Sequence, residues 1–325
     1  MMYARRLITF GAGINLCTKV LWRTLHNKIK EAHLTKNIEI PVPWGKVTGK
    51  LWGSQDKQPI LAMHGWQDNA ATFNNLAPLI VKNTPVLSID LPGHGFSSWL
   101  PPGSIYTEIV YLLLIRRIVK YFEWEKVKIL AHSLSSMTTY WYAAIYPAEV
   151  QYVIALDYFK FIAVNIDYYA DIFGNVINSL IKLEGNTGSQ PSYTKDKIKE
   201  KWLGGYIHMN EAASNILMTR GVHQKDDGTY VFNRDPRIRI IPIHTLFSKE
   251  QLECFAKKIT CPYLILKGTE SPYIELKEDY HNALQIMKQH NKHVYYEEVP
   301  GNHHFHLTHA EPAAIIINRF LEKYD

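Results

Sequence analysis

Short apolar segments alternate with helical segments along most of this chain, and this alternation constrains its fold more than any other feature. Continuous apolar runs, typical of strands buried on both faces, lie at 59–63, 85–89, 127–131, 150–156, 263–266 and 294–299. Helical spacing lies at 69–81, 106–122, 134–146, 276–290 and 310–324. Strands that alternate with helices in this way form a mostly parallel sheet with right-handed crossovers. The sequence therefore predicts an α/β fold with helices on both faces of a central sheet.

Two regions of the sequence depart from this alternation. Residues 38–52 alternate apolar and polar side chains around Gly45, which predicts an antiparallel hairpin at one edge of the sheet. Further along the chain, about a hundred residues separate the predicted strand at 150–156 from the one at 263–266, which is far more than an ordinary connection between strands. We therefore predict a core formed by residues 38–157 and 259–325 and a helical cap insertion at residues 158–258.

The excess of basic residues lies at the N-terminal end. The chain has 36 Lys and Arg against 30 Asp and Glu, and six cations precede the first acid, Glu31, so that 30 basic and 30 acidic residues remain. A formally neutral body argues against nucleic-acid binding. Residues 1–37 form a separate basic, apolar segment. Its composition fits a mitochondrial presequence, a basic helix that packs on the domain or contacts a membrane surface, or, less well, a secretory signal.

Cysteine content and hydropathy bear on the cellular setting. The chain has 3 cysteines and no Asn-x-Ser/Thr acceptor, which gives no sign of an oxidising secretory route. No apolar run approaches the roughly 18 to 20 residues that a membrane-spanning helix needs. We expect an intracellular protein without a transmembrane span, mitochondrial if the N-terminal segment is a presequence and cytoplasmic or peroxisomal otherwise.

The segment Ala131-His132-Ser133-Leu134-Ser135 lies between a predicted strand and a predicted helix, where a nucleophile elbow of the pattern Gly-x-Ser-x-Gly belongs. Both glycines are replaced. Alanine and serine are the next smallest side chains, so we expect the strained turn to form at some cost. Ser133 is the candidate nucleophile, and the alternative is a serine that only caps the helix.

A serine hydroxyl needs a base, and His303 after the last predicted strand is the candidate. Three more histidines follow at 304, 306 and 309, and this spacing also raises a zinc site. We favour a site without metal or cofactor because the order serine, acid, histidine is that of a hydrolase triad. His306 is then a packing or helix-capping residue.

The chain resembles the α/β-hydrolase superfamily, and specifically the serine hydrolase-like protein family, over nearly all of residues 40–320. The motifs that carry the resemblance are His64-Gly65-Trp66-Gln67-Asp68-Asn69, Asp90-Leu91-Pro92-Gly93-His94-Gly95-Phe96-Ser97-Ser98, the elbow and Gly301-Asn302-His303. The resemblance implies an α/β-hydrolase fold and a serine hydrolase of small molecules. It also implies Ser133 as nucleophile, His303 as base and the backbone N–H groups of Trp66 and Leu134 as the oxyanion hole.

The triad acid stays open between two carboxylates. The aspartate that most such hydrolases carry after the seventh strand aligns with Ser271 in this chain. Glu270 is one residue early, and Asp157 follows the preceding strand of the sheet. We favour Asp157 over Glu270, although Asp157 could instead cap the first turn of the insertion. Asp90, His94 and His64 are interpreted as residues that shape the loops around the site.

A serine at the elbow excludes the carboxylate nucleophile that haloalkane dehalogenases and epoxide hydrolases use. Hydrolysis of a small-molecule ester, thioester or amide through an acyl-enzyme remains, as in a carboxylesterase. The alternative is a hydrolase fold that binds a ligand with little or no turnover, because both elbow glycines and the usual acid are missing. The sequence predicts neither the substrate-binding residues nor the oligomeric state.

Overall fold

The computed structural model describes residues 35–81, 84–163, 166–185, 190–204, 209–240 and 247–325. The predicted N-terminal segment falls outside these ranges up to residue 34, and so does the choice between a presequence and a packed helix. No helix within these ranges has both the length and the apolar character that crossing a membrane requires.

The described strands and helices follow the predicted alternation. The strands are β1 (Thr35–Val42), β2 (Gly45–Trp52), β3 (Ile60–Met63), β4 (Val86–Ile89), β5 (Val127–His132), β6 (Val150–Leu156), β7 (Val222–Gln224), β8 (Tyr230–Phe232), β9 (Tyr263–Gly268) and β10 (Val294–Val299). The helices are α1 (Ala77–Ile80), α2 (Glu108–Tyr121), α3 (Leu134–Ile145), α4 (Ile166–Glu184), α5 (Lys195–Gly204), α6 (Glu211–Gly221), α7 (Lys249–Lys258), α8 (Lys277–His290), α9 (Phe305–Thr308) and α10 (Ala310–Tyr324). Short 3₁₀ turns lie at Ala70–Phe73, Pro147–Glu149 and Pro236–Arg239.

The central sheet has the strand order β1-β2-β4-β3-β5-β6-β9-β10. β1 pairs antiparallel with β2, and β2 pairs antiparallel with β4. The remaining strands of the sheet are parallel to β4 and to one another, namely β3, β5, β6, β9 and β10. The predicted mostly parallel sheet with an antiparallel hairpin at its edge is therefore confirmed. Every residue of β3, β4 and β9 is buried, as their continuous apolar runs predicted.

The helix predicted at 69–81 is wrong. This stretch forms the 3₁₀ turn Ala70–Phe73 followed by the separate short helix α1. Asn69 caps the first turn by accepting a hydrogen bond from the N–H of Ala71 (3.0 Å). Pro78 lies at the start of α1, where a missing N–H costs nothing, whereas inside one continuous helix it would remove a hydrogen bond.

The segment predicted as a helical insertion contains α4 to α7 and also a small antiparallel sheet. β7 and β8 pair with each other, and a turn at residues 226–228 connects them. The sequence missed these strands because three residues are too few for a period-two pattern to stand out. Whether residues 158–258 form a separate unit remains a prediction.

Buried polar contacts fix α6 against the loops that follow β3 and β4. Arg220 on α6 pairs with Asp90 (Nη2 to Oδ2, 2.5 Å), and both side chains are buried. Asn69 donates its side-chain N–H to the carbonyl of Leu217 (2.9 Å). Asp90 also accepts the backbone N–H groups of Ala70 (2.7 Å) and Phe96 (2.9 Å), so it shapes its loop as the sequence suggested. One carboxylate thereby orders two core loops and anchors part of the insertion.

Candidate active site

The predicted site residues follow neighbouring strands at their carboxyl ends. Gly65 and Trp66 come after β3, Ser133 after β5, Asp157 after β6 and His303 after β10. Because β3, β5, β6, β9 and β10 are parallel neighbours in the sheet, these ends lie along one edge. Residues that are up to 238 positions apart in the chain can therefore contact one another.

Ser133 occupies a strained turn between β5 and α3. Its φ of 54° and ψ of −115° lie in a region that residues other than glycine rarely adopt. The Ser133 N–H donates to the carbonyl of Leu156 (3.1 Å), and the residue is partly exposed. Its side chain makes no capping hydrogen bond to α3. This geometry is that of an elbow and not of a simple helix cap.

The positions that usually carry glycine are accommodated by hydrogen bonds and by a glycine elsewhere. The Ser135 hydroxyl donates to the carbonyl of His64 (2.5 Å), so the larger side chain is used to join α3 to the end of β3. Gly65 also approaches the elbow closely, because a Cβ there would lie 2.9 Å from Nδ1 of His132 and 3.1 Å from Cβ of Ser133. The elbow thus keeps its tight packing without its two usual glycines.

His303 is held by Asp157. Its Nδ1 lies 2.5 Å from Oδ2 of the buried Asp157 carboxylate. A carboxylate can only accept, so Nδ1 carries the proton and Nε2 carries the lone pair in the neutral imidazole. The His303 side chain is 28% exposed, which leaves its other edge open. Among the described contacts no hydrogen bond joins Ser133 to His303, and such bonds are often long in enzymes without bound substrate.

Four donors converge on the Asp157 carboxylate. Besides His303, these are the Ser271 hydroxyl (2.7 Å), the Lys267 ammonium (2.9 Å) and the Gly268 N–H (3.2 Å). Burial opposes ionisation of Asp157, but the hydrogen bond and charge of His303, together with Lys267, outweigh it and lower its pKa to about 2. Asp157 is therefore a carboxylate throughout the neutral range.

The structure brings Asp157 to His303 and leaves Glu270 outside. Glu270 is exposed, its backbone N–H binds the carbonyl of Gly301 (2.9 Å), and none of the described contacts joins its carboxylate to His303. Ser271, where the usual aspartate would align, is buried and donates its hydroxyl to Asp157. The serine at position 271 therefore donates to the acid that follows the neighbouring strand, Asp157. Glu270, one residue before this position, faces solvent.

Sequence reasoning missed Lys267. Its side chain is 1% exposed, and its ammonium lies 4.9 Å from the ring centroids of both Tyr158 and Tyr273 in addition to its pair with Asp157. A lysine at the end of an otherwise apolar strand was the available signal. Such a side chain is rarely buried without a partner, and here the partner is the acid that orients His303.

Two buried histidines hold the turn that carries Trp66. His64 accepts the N–H of Leu91 at Nε2 (2.9 Å), so its Nδ1–H donates to the carbonyl of Gly65 (2.7 Å). His94 accepts the N–H of Gln67 at Nε2 (3.2 Å). Both histidines thus contact the backbone of the loops around the site, the role suggested for them from the sequence.

The N–H groups of Trp66 and Leu134 are the predicted oxyanion donors. Leu134 is the first residue of α3, where backbone N–H groups lack partners within the helix. Among the backbone hydrogen bonds described outside regular helices and strands, neither N–H is a donor. The Trp66 indole donates to the carbonyl of Ile238 (2.8 Å), which ties this turn to the insertion.

The four histidines near the C-terminal end do not share one site. His303 binds Asp157, Nε2 of His304 lies 3.3 Å from Asp68, and Nε2 of His306 lies 2.9 Å from the Thr72 hydroxyl. His309 is exposed. His306 is buried against Phe73. A zinc site built from these four side chains is therefore not formed. A different set, Asp68, His132 and His304, has ligand atoms within 4.8 Å of one another.

Comparisons with known proteins agree with this geometry. The family model described as "alpha/beta hydrolase fold" matches residues 58–310, and the chain belongs to that family. A "Probable serine hydrolase" from Drosophila melanogaster is 36% identical over 89% of this chain and 88% of its own length. A "Serine hydrolase-like protein" from Danio rerio is 32% identical over 87% of each chain. The chain is thus a hydrolase of the serine hydrolase-like group.

The structure also resembles solved α/β hydrolases. The "Thioesterase Domain From Curacin Biosynthetic Pathway" superimposes with a TM-score of 0.72 at 20% identity, over 87% of this chain and 99% of that domain. At this level of identity the likeness concerns the fold alone. It agrees with the predicted α/β-hydrolase fold, which is confirmed.

The buried histidines predict a pH-dependent stability. Burial and the nearby His64 lower the pKa of His94 well below its usual value of about 6.5. The folded protein therefore keeps His94 neutral, and the chain takes up this proton only on unfolding. The contribution to stability is present at pH 7 and lost as the pH falls below about 6.5. The free energy of unfolding of the parent should therefore fall as the pH is lowered from 7 to 5. In His94→Gln this fall should be smaller by about 2 kcal/mol.

Urea unfolding at both pH values measures this difference. His290→Gln, at an exposed position, is the matched control and should leave the pH dependence as in the parent. If His94→Gln and the parent lose the same free energy of unfolding, His94 is already protonated in the folded protein.

Proposed function

We propose that the protein hydrolyses a small-molecule ester, thioester or amide through an acyl-enzyme on Ser133. The observation that carries this proposal is the 2.5 Å contact between His303 Nδ1 and Asp157, next to a serine in an elbow conformation. A serine, a histidine in the base tautomer and a buried carboxylate that orients it are the groups that acyl transfer requires.

The proposed reaction begins when Nε2 of His303 takes the proton of the Ser133 hydroxyl. The serine oxygen attacks the acyl carbon, and the carbonyl oxygen becomes an oxyanion that accepts the N–H groups of Trp66 and Leu134. One such donor is worth roughly 3 to 4 kcal/mol in the transition state. The leaving group departs with the proton from His303, and water then repeats the sequence to release the acid.

The surroundings of Asp157 support the proposal. The carboxylate remains ionised and cannot rotate freely, because Ser271, Lys267 and Gly268 donate to it while it holds His303. The imidazolium that forms during the reaction gains the stabilisation of a fixed negative charge. Lys267 also pairs with this carboxylate (2.9 Å), so the acid that orients His303 has a fixed cationic partner of its own.

The aromatic residues that begin the insertion give limited information about substrate. Phe159 and Phe161 are buried in the core, where they pack against Tyr280 and Trp141. The ring of Tyr158 lies 5.2 Å from that of His303. The class of substrate, an ester, thioester or amide, follows from the nucleophile and not from a specificity pocket.

The alternative is a hydrolase fold that binds its ligand without turnover. Its support is the absence of both elbow glycines and of a hydrogen bond between Ser133 and His303 among the described contacts. Against it, a serine held in a strained conformation and a buried carboxylate with four donors cost stability that a binding protein does not need.

A fluorophosphonate probe separates the two functions. We expect covalent labelling of the folded parent protein, because the probe reacts with a serine that a histidine activates. Ser133→Ala should not be labelled, whereas Ser136→Ala, at a buried serine on the same helix, should label as the parent does. A folded parent protein that fails to react contradicts the proposed function.

The identity of the triad acid has its own test. Asp157→Asn should lower the labelling rate, and kcat once a substrate ester is known, by about 10⁴-fold, because the amide stabilises the wrong tautomer of His303. Glu270→Gln, a matched loss of charge at an exposed position, should stay within about twofold of the parent. The reverse ranking of these two variants would exclude Asp157 as the orienting acid.

A further inference from the structure

A second group of titratable side chains lies behind the candidate triad. Asp68, His132 and His304 come from the turn after β3, the end of β5 and the loop after β10, and their side chains are 1%, 1% and 7% exposed. His132 and His304 directly neighbour Ser133 and His303 in the chain, yet neither belongs to the reaction described above. We refer to these three residues as the inner cluster.

The hydrogen bonds of His132 show which of its nitrogens can accept. Its Nε2 lies 2.9 Å from the backbone carbonyl of His303, and a carbonyl only accepts. The proton is therefore on Nε2, and Nδ1 carries a lone pair in the neutral ring. This Nδ1 is buried without a hydrogen-bond partner, 3.5 Å from Oδ2 of Asp68. A lone pair that faces a carboxylate oxygen is repelled by it.

Asp68 has the complementary problem. Its Oδ1 is buried without a partner, and its Oδ2 is contacted by Nε2 of His304 (3.3 Å) and by the Thr72 hydroxyl (3.4 Å). None of the contacting groups carries a fixed positive charge. A buried carboxylate needs a cation or several donors to offset its loss of hydration. A cation between the carboxylate and Nδ1 of His132 removes both problems at once.

We propose that the inner cluster binds one zinc ion, with the Asp68 carboxylate, Nδ1 of His132 and Nε2 of His304 as protein ligands. Two imidazoles and one carboxylate form a donor set that suits zinc and other late first-row metals, and not calcium or magnesium. Water supplies the remaining position of a tetrahedral ion. This site is separate from the hydrolytic reaction and does not depend on it.

The distances fit this coordination with a small adjustment. Ligand atoms about 2.0 to 2.1 Å from a tetrahedral zinc lie about 3.3 to 3.4 Å apart, and the two contacts to Asp68 measure 3.5 and 3.3 Å. All three ligand atoms lie within 4.8 Å of one another. Two nitrogens on a tetrahedral zinc also lie about 3.4 Å apart, so the imidazoles must approach each other by up to about 1.4 Å.

The position of the site gives the ion a structural role. Its ligands connect the oxyanion turn, the nucleophile elbow and the loop of the base, which are otherwise joined mainly by hydrogen bonds. An ion that binds only the folded protein raises its stability in proportion to the logarithm of the free metal concentration. Zinc should therefore stabilise the three loops together, without contact with the acyl group.

Metal content and thermal unfolding of the full chain test the proposal. After exposure to zinc and dialysis against metal-free buffer, we expect one equivalent of zinc per chain. Zinc at 100-fold excess over its dissociation constant should raise the Tm by about 5 °C or more. His304→Gln and Asp68→Asn should each lose the bound zinc and the shift in Tm. The first of these changes the outermost ligand and is the variant less prone to misfold.

Two control variants separate this site from other zinc-binding histidines. His309→Gln changes an exposed histidine of the same segment, and His303→Gln removes the candidate base. Both should retain one equivalent of zinc. The proposal is overturned if the parent binds no zinc, if His304→Gln binds it as the parent does, or if His303→Gln loses it, which would assign the ion to the candidate triad.

Discussion

The candidate active site depends on the hydrogen bonds that the buried carboxylate of Asp157 accepts. Asp157 directly follows β6, the strand between the elbow strand β5 and β9. Its carboxylate joins the loop of His303 to Lys267 in β9 and to Ser271 in the loop after β9. Four donors fix its position, so it can fix the imidazole in turn. Without this carboxylate, Lys267 would be a buried, uncompensated charge and His303 would lose its tautomer.

The elbow shows how a strained turn is kept when its usual glycines are absent. Gly65 leaves no room for a Cβ beside the elbow, and Ser135 adds a hydrogen bond to the residue after β3, where a glycine would add none. His64 and His94 then hold the neighbouring turn through backbone contacts. Flexible small residues are thus replaced by a rigid, buried polar network, which restricts the positions that Trp66 and Ser133 can take.

The sequence predicted the sheet and its site edge because buried parallel strands leave long apolar runs and end on one side. It favoured Asp157 over Glu270 as the triad acid but left both open, since the position of each carboxylate depends on which side chain faces inward at the ends of two adjacent strands. Lys267 and the inner cluster escaped notice for a related reason. Asp68, His132 and His304 are far apart in the chain, and only the sheet brings their side chains together.

The candidate active site depends most on the short hydrogen bond between His303 and Asp157. Proton NMR can detect the proton in this bond. The Nδ1 proton of His303, shared with a buried carboxylate 2.5 Å away, should give a far-downfield resonance that exchanges slowly. We expect this resonance to disappear in Asp157→Asn and to persist in Glu270→Gln. A resonance that survives Asp157→Asn, or one that is lost only in Glu270→Gln, would contradict this expectation.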